Sequence, residues 1–136
     1  MAAIAPGAWL GLLGGGQLGR MFCMAAQSLG YRVAVLDPAA DGPAAIVADR
    51  HIHADYLDAA GLGRLAALAS AATTEFENVP AAALEFLSAS ARVTPAAASV
   101  AIAQDRISEK TFLSGHGFGV APYKVLRTSE DAASVD

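Results

Sequence analysis

The feature that most constrains the fold of this chain is a glycine-rich turn between an apolar segment and an amphipathic one. The apolar residues 9–13 predict a strand, and Gly14, Gly16 and Gly19 then satisfy the spacing G-x-G-x-x-G. Glycines let a backbone approach phosphate closely, and the helix that follows offers unpaired amides to an anion. The turn therefore predicts a strand, loop and helix that bind an anion, although a tight turn without a ligand has the same sequence.

Predicted strands and helices alternate beyond this turn. Strands are predicted at residues 9–13, 32–36, 51–53 and 72–75, and helices at about 18–29, 58–69 and from Pro80 onward. In the last helix, Leu84 and Leu87 are predicted to face inward. Such alternation is typical of a parallel sheet with helices on both faces, because a right-handed crossover returns each strand beside an earlier one.

The first helix and the last third of the chain give more specific predictions. One apolar face of the first helix is predicted from six residues, Leu18, Met21, Phe22, Ala25, Ala26 and Leu29. Farther along, a helix is predicted from Asp105, a strand at residues 123–126, and the start of another helix after Ser129 and Glu130.

Composition narrows the class of protein. The chain has 136 residues, of which 54% are hydrophobic and 16% charged, which fits one globular domain with a buried core. Its net charge of -4 argues against a broad nucleic-acid or membrane-binding surface. A single cysteine, Cys23, and the lack of a long apolar segment predict a soluble cytoplasmic protein, with Cys23 as a packing thiol.

The segment Thr73 to Pro80 places two carboxylates where a predicted strand ends and a helix begins. In an open parallel sheet, the carboxyl ends of strands border the ligand crevice, so these side chains are predicted to face the glycine turn. Extended backbone would point Glu75 and Glu77 the same way, but a turn at Asn78 would separate them. Glu77 also suits a helix N-terminus, which leaves open which glutamate contacts a substrate.

Two other functions, dinucleotide binding and metal binding, depend on Asp37 and on the pair His51 and His53. Asp37 ends the second predicted strand at the distance expected of a ribose-binding acid, which supports an NAD-binding oxidoreductase as one alternative. His51 and His53 share a strand face but lack a convincing third ligand, so no metal site is predicted. A P-loop of the form G-x-x-x-x-G-K-[ST] is not present in the sequence.

Three motifs together resemble one enzyme family. Residues 14–21, residues 73–80, and Gln104-Asp105-Arg106 with Glu109-Lys110 are similar to the amino-terminal part of N5-carboxyaminoimidazole ribonucleotide synthetases, of the ATP-grasp superfamily. The resemblance implies an α/β fold: a Rossmann-like preATP-grasp domain over residues 1–103, then the truncated start of an ATP-grasp domain over residues 104–136. A formate-dependent glycinamide ribonucleotide transformylase is a related alternative, and a noncatalytic nucleotide-sensing module is another.

The resemblance also implies an activity. Such enzymes are carbon-nitrogen ligases of purine biosynthesis that use ATP and Mg²⁺ to carboxylate 5-aminoimidazole ribonucleotide with bicarbonate, and they are homodimers. Catalytic and metal-binding residues are expected beyond Asp136, so this chain alone is predicted to be inactive. The implied contacts are Arg106 with ATP and five residues with the ribonucleotide, namely Gly16, Gln17, Leu18, Glu75 and Glu77.

Overall fold

A computed structural model of the chain describes residues 3–129. The described residues belong to two compact units, which divide between Ala101 and Ile102. The helix that contains this boundary is Ala97–Gln104. The prediction of a separate domain beginning at residue 104 remains a prediction about the longer protein.

The first unit contains a five-stranded parallel sheet in the order β3-β2-β1-β4-β5. The chain runs outward from β1 to β3 and then returns to the other side of β1, which makes the β1 and β4 boundary the point where strand order reverses. The elements, in chain order, are β1 Trp9–Leu13, α1 Gln17–Ser28, β2 Arg32–Asp37, β3 Arg50–His53, α2 Ala59–Leu68, β4 Ala71–Thr74, α3 Ala81–Ser88, β5 Arg92–Val93 and α4 Ala97–Gln104.

Alternation along each strand divides the core between the two sheet faces. Leu12 packs on one face in a cluster with Cys23 of α1, whereas Leu13 packs on the opposite face with Leu65 of α2 and Leu84 of α3. Burial of successive side chains on opposite faces is the pattern expected of a parallel sheet that helices cover on both sides. The predicted α/β fold is confirmed, as are the inward positions of Leu84 and Leu87, both fully buried.

The predicted inner face of α1 is wrong in most of its members. Leu18, Met21 and Leu29 are more than half exposed, and the buried residues are Gly19, Cys23 and Ala26. A Cβ at Gly19 would lie only 2.9 Å from the carbonyl oxygen of Gly14, so the helix approaches the turn more closely than a side chain would permit. Small residues form the contact face for this reason, and the larger apolar residues lie outward.

The described residues of the second unit contain one complete further helix, α5, over Arg106–Gly115. Asp105 caps it, because its side chain accepts a hydrogen bond from the Ser108 amide at 2.6 Å. The strand predicted at residues 123–126 is wrong: this segment is irregular, since the unit has no second strand within residues 102–129 to pair with it.

One short strand was missed by the sequence analysis, and one predicted helix begins beyond the described residues. The short strand β5 was not predicted, because two residues are too few to show an alternating pattern. The helix predicted to begin after Ser129 and Glu130 lies outside the described residues. Within residues 3–129, no helix is both long enough and apolar enough to span a bilayer.

Candidate functional site

The candidate site lies at the carboxyl edge of the sheet, where β1 and β4 are neighbours. Leu13 pairs with Thr74, so the glycine turn after β1 and the segment after β4 leave the sheet side by side. The Glu75 amide continues this pairing by donating to the Leu13 carbonyl at 2.9 Å. A reversal of strand order is the place where open α/β sheets form a ligand crevice.

The carboxylate of Glu75 faces the glycine turn, as predicted. It accepts hydrogen bonds from two backbone amides, that of Gly16 at 2.9 Å and that of Leu18 at 3.2 Å. These amides lie at the N-terminus of α1, where donors have no partner within the helix and a negative charge is favoured. Glu75, half-buried at the end of β4, therefore caps α1 from 59 residues along the chain.

The glycines of the turn accommodate this carboxylate. Gly14 has a φ of 111°, a conformation that favours glycine. At Gly16, a Cβ would lie 2.5 Å from Oε1 of Glu75. From the sequence, we expected the backbone at Gly16 to approach a phosphate. In this structure, the group that lies against Gly16 is the side chain of Glu75.

Asp37 holds the turn from the other side. This buried carboxylate accepts hydrogen bonds from the Gly15 amide at 2.6 Å and the Tyr56 hydroxyl at 2.7 Å through Oδ2, and from the Ala39 amide at 2.7 Å through Oδ1. Both oxygens are thus engaged within the protein. Because Asp37 is buried and already binds three protein donors, a ribose would have little access to its oxygens, so the geometry disfavours the NAD alternative.

Tyr56 was not singled out from the sequence. Burial raises the pKa of its hydroxyl above the usual range, and the hydrogen bond to Asp37 and then the charges of Asp37 and Glu75 add to the rise. The hydroxyl therefore remains a neutral donor near pH 7. The available signal was its position shortly after β3, at the same edge of the sheet as Asp37 and Glu75.

A cavity of about 220 Å³ opens beside Glu75. Leu18 and Phe22 of α1 line it on one side, and Thr73 and Thr74 of β4 on the other. Its walls combine apolar side chains with a few polar groups, which is the usual composition of a small-molecule site. Glu75 is the charged residue that lines this cavity.

The structure brings together Gly16, Leu18 and Glu75, but not every predicted contact residue. Gln17 begins α1 with an exposed side chain, beside the two amides that Glu75 binds. Glu77 is exposed in the turn between β4 and α3, which matches the alternative in which a turn separates it from Glu75.

Arg106 belongs to the second unit. It forms an ion pair with Glu109 one turn later on α5, and its side chain is largely exposed. A cavity of about 280 Å³ in the same unit is lined by Arg106, Lys110 and Lys124, and Lys110 also lies 5.0 Å from the ring centre of Tyr123. Three cations around one cavity fit the charge of a polyphosphate.

Metal-binding side chains are not clustered in the part of the chain that is described. Residues 3–129 contain no group of three or more histidine, cysteine, aspartate or glutamate side chains able to hold an ion. His51 and His53 stack with ring centres 6.1 Å apart, and His53 Nε2 lies 3.0 Å from the Pro38 carbonyl oxygen.

Comparison with known proteins identifies the class. Residues 8–104 match the family model of the ribonucleotide synthetase preATP-grasp domain. The match covers the sheet, the glycine turn and the segment that carries Glu75. The chain therefore belongs to the ribonucleotide synthetase preATP-grasp domain family.

Within this class, the chain is similar to N5-carboxyaminoimidazole ribonucleotide synthases, which confirms the resemblance noted from the motifs. It is 45% identical over 128 residues to the synthase of Brucella melitensis, covering 94% of this chain and 35% of that protein. For the synthase of Bacillus subtilis, the identity is 40% over 128 residues, covering 94% and 34%. The chain thus spans about a third of the length of these relatives.

Solved structures give the same result. The ADP complex of an N5-carboxyaminoimidazole ribonucleotide synthetase has a TM-score of 0.90 at 38% identity, covering 96% of this chain and 34% of that one. The Aspergillus clavatus synthase in complex with ADP and 5-aminoimidazole ribonucleotide has a TM-score of 0.84 at 30% identity, covering 95% and 35%.

Proposed function

We propose that this chain forms the amino-terminal, substrate-binding part of an ATP-grasp carbon-nitrogen ligase of purine biosynthesis. The complete enzyme carboxylates the exocyclic amine of 5-aminoimidazole ribonucleotide, with ATP, Mg²⁺ and bicarbonate as the other requirements. The similarity to relatives that bear this enzyme name supports the reaction. Because the chain spans about a third of those relatives, the activity is proposed for the longer protein.

The observation that carries the proposal is the Glu75 carboxylate in the crevice. An ionised carboxylate has about four acceptor positions, and the amides of Gly16 and Leu18 use two of them. The others remain for ribose hydroxyls or the exocyclic amine of the substrate. Glu75 is the better candidate for this contact than Glu77, since Glu75 lines the cavity and Glu77 is exposed in the following turn.

The remaining predicted contacts have separate tasks. Leu18 forms the apolar wall opposite β4, while the exposed side chain of Gln17 is free to reach a ligand at the mouth of the crevice. Arg106, with the neighbouring lysines, supplies positive charge for ATP phosphates in the second unit. ATP would supply the phosphoryl group that activates bicarbonate as carboxyphosphate.

The test is an assay of a full-length protein that carries this chain at its amino terminus. Phosphate release should require ATP, Mg²⁺, bicarbonate and 5-aminoimidazole ribonucleotide together. Replacing the last two by formate and glycinamide ribonucleotide tests the related transformylase. If the protein were active only with formate and glycinamide ribonucleotide, the proposed substrate would be wrong, but the assignment to the ATP-grasp superfamily would stand.

Two further expectations concern the whole protein. The homodimer implied by the family can be tested by sedimentation of the full-length protein. A cytoplasmic location, also predicted from the sequence, can be tested by fractionating cells that produce it. Both remain proposals, since the relatives extend well beyond this chain.

A further inference from the structure

Tyr56 contacts the ends of two segments at the carboxyl edge of the sheet, Asp37 of β2 and Phe76 after β4. Its hydroxyl donates to Asp37 Oδ2 at 2.7 Å, and the same oxygen accepts from the Gly15 amide at 2.6 Å. Its ring centre lies 6.0 Å from that of Phe76, with the rings inclined at 58°. Tyr56 is therefore linked to the glycine turn through Asp37 and to the segment after β4 through Phe76.

The segment after β4 is held firmly enough for this ring contact to matter. The Thr74 hydroxyl donates to the Phe76 carbonyl at 2.7 Å, and the Glu75 amide donates to Leu13 at 2.9 Å. Phe76 directly follows Glu75, so the Tyr56 ring packs on the residue next to the one whose carboxylate reaches the turn. The aromatic pair thus adds a side-chain contact to the hydrogen bonds that hold this segment.

The Tyr56 hydroxyl also binds one of two carboxylates that lie at the glycine turn. Asp37 and Glu75 bring two carboxylates to the same short turn, where Gly15 donates to one and Gly16 to the other. The pKa of Tyr56 is raised mainly by burial, so the hydroxyl stays protonated and donates to Asp37. The neutral hydroxyl stabilises negative charge on the same Asp37 oxygen that accepts from Gly15, and it does so without adding a cation to the turn.

We propose that Tyr56 is a positioning residue for the ribonucleotide, acting through Asp37 on the glycine turn and through Phe76 on Glu75. This role deepens the proposed function and rests on it. Glu75 bonds directly to the turn, and Tyr56 supports this arrangement by binding Asp37, which holds Gly15, and by packing on Phe76, the residue after Glu75. Its loss should affect use of the ribonucleotide more than use of ATP.

The decisive variant is Tyr56→Phe, which keeps the ring on Phe76 but removes the donor to Asp37. In the full-length enzyme, we expect the KM for the ribonucleotide to rise about tenfold, the scale of a lost hydrogen bond to a charged group, with the KM for ATP nearly unchanged. Tyr56→Ala should raise it further, because the ring contact is also lost.

Tyr31→Phe is the matched control. Its hydroxyl also donates one hydrogen bond, to the Ile4 carbonyl at 2.8 Å, whereas the Tyr56 hydroxyl donates to Asp37, which holds the glycine turn. Wild-type KM values are expected for this variant. If Tyr56→Phe folded normally and matched Tyr31→Phe in both KM values, the positioning role would be overturned while the proposed activity stood.

A second measurement separates the two proposals. In amide spectra of this chain, Tyr56→Phe should shift the Gly15 and Gly16 resonances, whereas Tyr31→Phe should leave them in place. A wild-type full-length protein that does not use the ribonucleotide would refute the proposed function. Unchanged Gly15 and Gly16 resonances in Tyr56→Phe would independently refute the proposal that Tyr56 determines the conformation of the glycine turn.

Discussion

The carboxylate of Glu75 lies 2.9 Å from the backbone amide of Gly16, which joins the end of β4 to the start of α1. A second bond to Leu18 places both carboxylate oxygens on the helix N-terminus. The residue proposed to bind the ribonucleotide is thus also part of the structure that shapes its site. Substitutions here should affect both stability and substrate use, and the two effects can be measured separately.

Glu75→Ala should impair use of the ribonucleotide in the full-length enzyme. Loss of a charged acceptor costs about 1.5 to 3 kcal/mol in kcat/KM for that substrate. Uncapping α1 should also lower the free energy of unfolding of this chain by about 1 kcal/mol. Steady-state kinetics and urea unfolding measure the two quantities.

Two other variants sharpen the test at Glu75. Glu75→Gln keeps the shape and removes the charge, so it separates charge from contact. Glu77→Ala is the control for a nearby carboxylate. Because Glu77 is exposed in the next turn, this substitution should lower kcat/KM for the ribonucleotide distinctly less than Glu75→Ala does. Equal losses for Glu75→Ala and Glu77→Ala would contradict the assignment to Glu75.

Gly16→Ala should disturb the turn by displacing Glu75. The backbone at Gly16 has φ -76° and ψ -161°, which alanine tolerates, so the effect would come from the added methyl group near Oε1. Because the carboxylate is the end of a flexible side chain, it should move and lose its amide bonds, at a cost of about 1 to 2 kcal/mol. Urea unfolding of this chain gives the value.

Gly63→Ala is the matched control for that substitution. Gly63 lies within α2, and a Cβ there would meet no atom within 4 Å. Alanine should therefore stabilise this helix by about 0.5 to 1 kcal/mol. In a Glu75→Ala background, the cost of Gly16→Ala should largely vanish, and additive costs in the double variant would show that the two residues do not interact.

The sequence predicted the sheet and the crevice because both depend on local patterns. Apolar strands, the glycine turn and the position of Glu75 after β4 are all visible within short segments. The contact face of α1 is not visible within a short segment. Gly19 lies inward because the helix approaches the turn closely there, and not because glycine is hydrophobic. Tyr56 was missed for a similar reason, because its partner Asp37 lies 19 residues earlier.

NAD should show no saturable binding to this chain. The acid that a dinucleotide would need, Asp37, already accepts hydrogen bonds from Gly15, Ala39 and Tyr56. Asp37 is also only 8% exposed, so a ribose hydroxyl would have little access to the acceptor position that these three bonds leave. Calorimetry with NAD measures this directly, and a micromolar affinity that Asp37→Ala weakens would favour the oxidoreductase instead.

Asp49 should make the stability of the chain fall in acid. Its pKa lies below the ordinary value of 3.8, chiefly because the Gln27 side chain donates to it at 3.0 Å, and also because the Val33 amide donates at 2.8 Å. A lowered folded-state pKa gives stability that is present above the unfolded pKa and lost as pH falls through the folded one. Melting temperatures from pH 7 to pH 2 follow this loss.

Asp49→Asn isolates that contribution. The variant should melt below the wild type at pH 7, and the gap should narrow as the pH falls below about 4. Asp41→Asn, a change at an exposed aspartate in the loop after β2, serves as the control. A gap between Asp49→Asn and the wild type that stays constant down to pH 2 would show that Asp49 contributes nothing to the acid response.

This chain alone should not hydrolyse ATP in response to 5-aminoimidazole ribonucleotide. Phosphoryl transfer requires that ATP, its metal ions and the acceptor be held together, and the chain spans about a third of the length of the synthases to which it is similar. Phosphate release should therefore stay at the level without ribonucleotide, whereas the full-length protein should respond to ATP, bicarbonate and ribonucleotide combined. Ribonucleotide-dependent phosphate release by this chain, absent in its Glu75→Ala variant, would show that these 136 residues hold a complete active site.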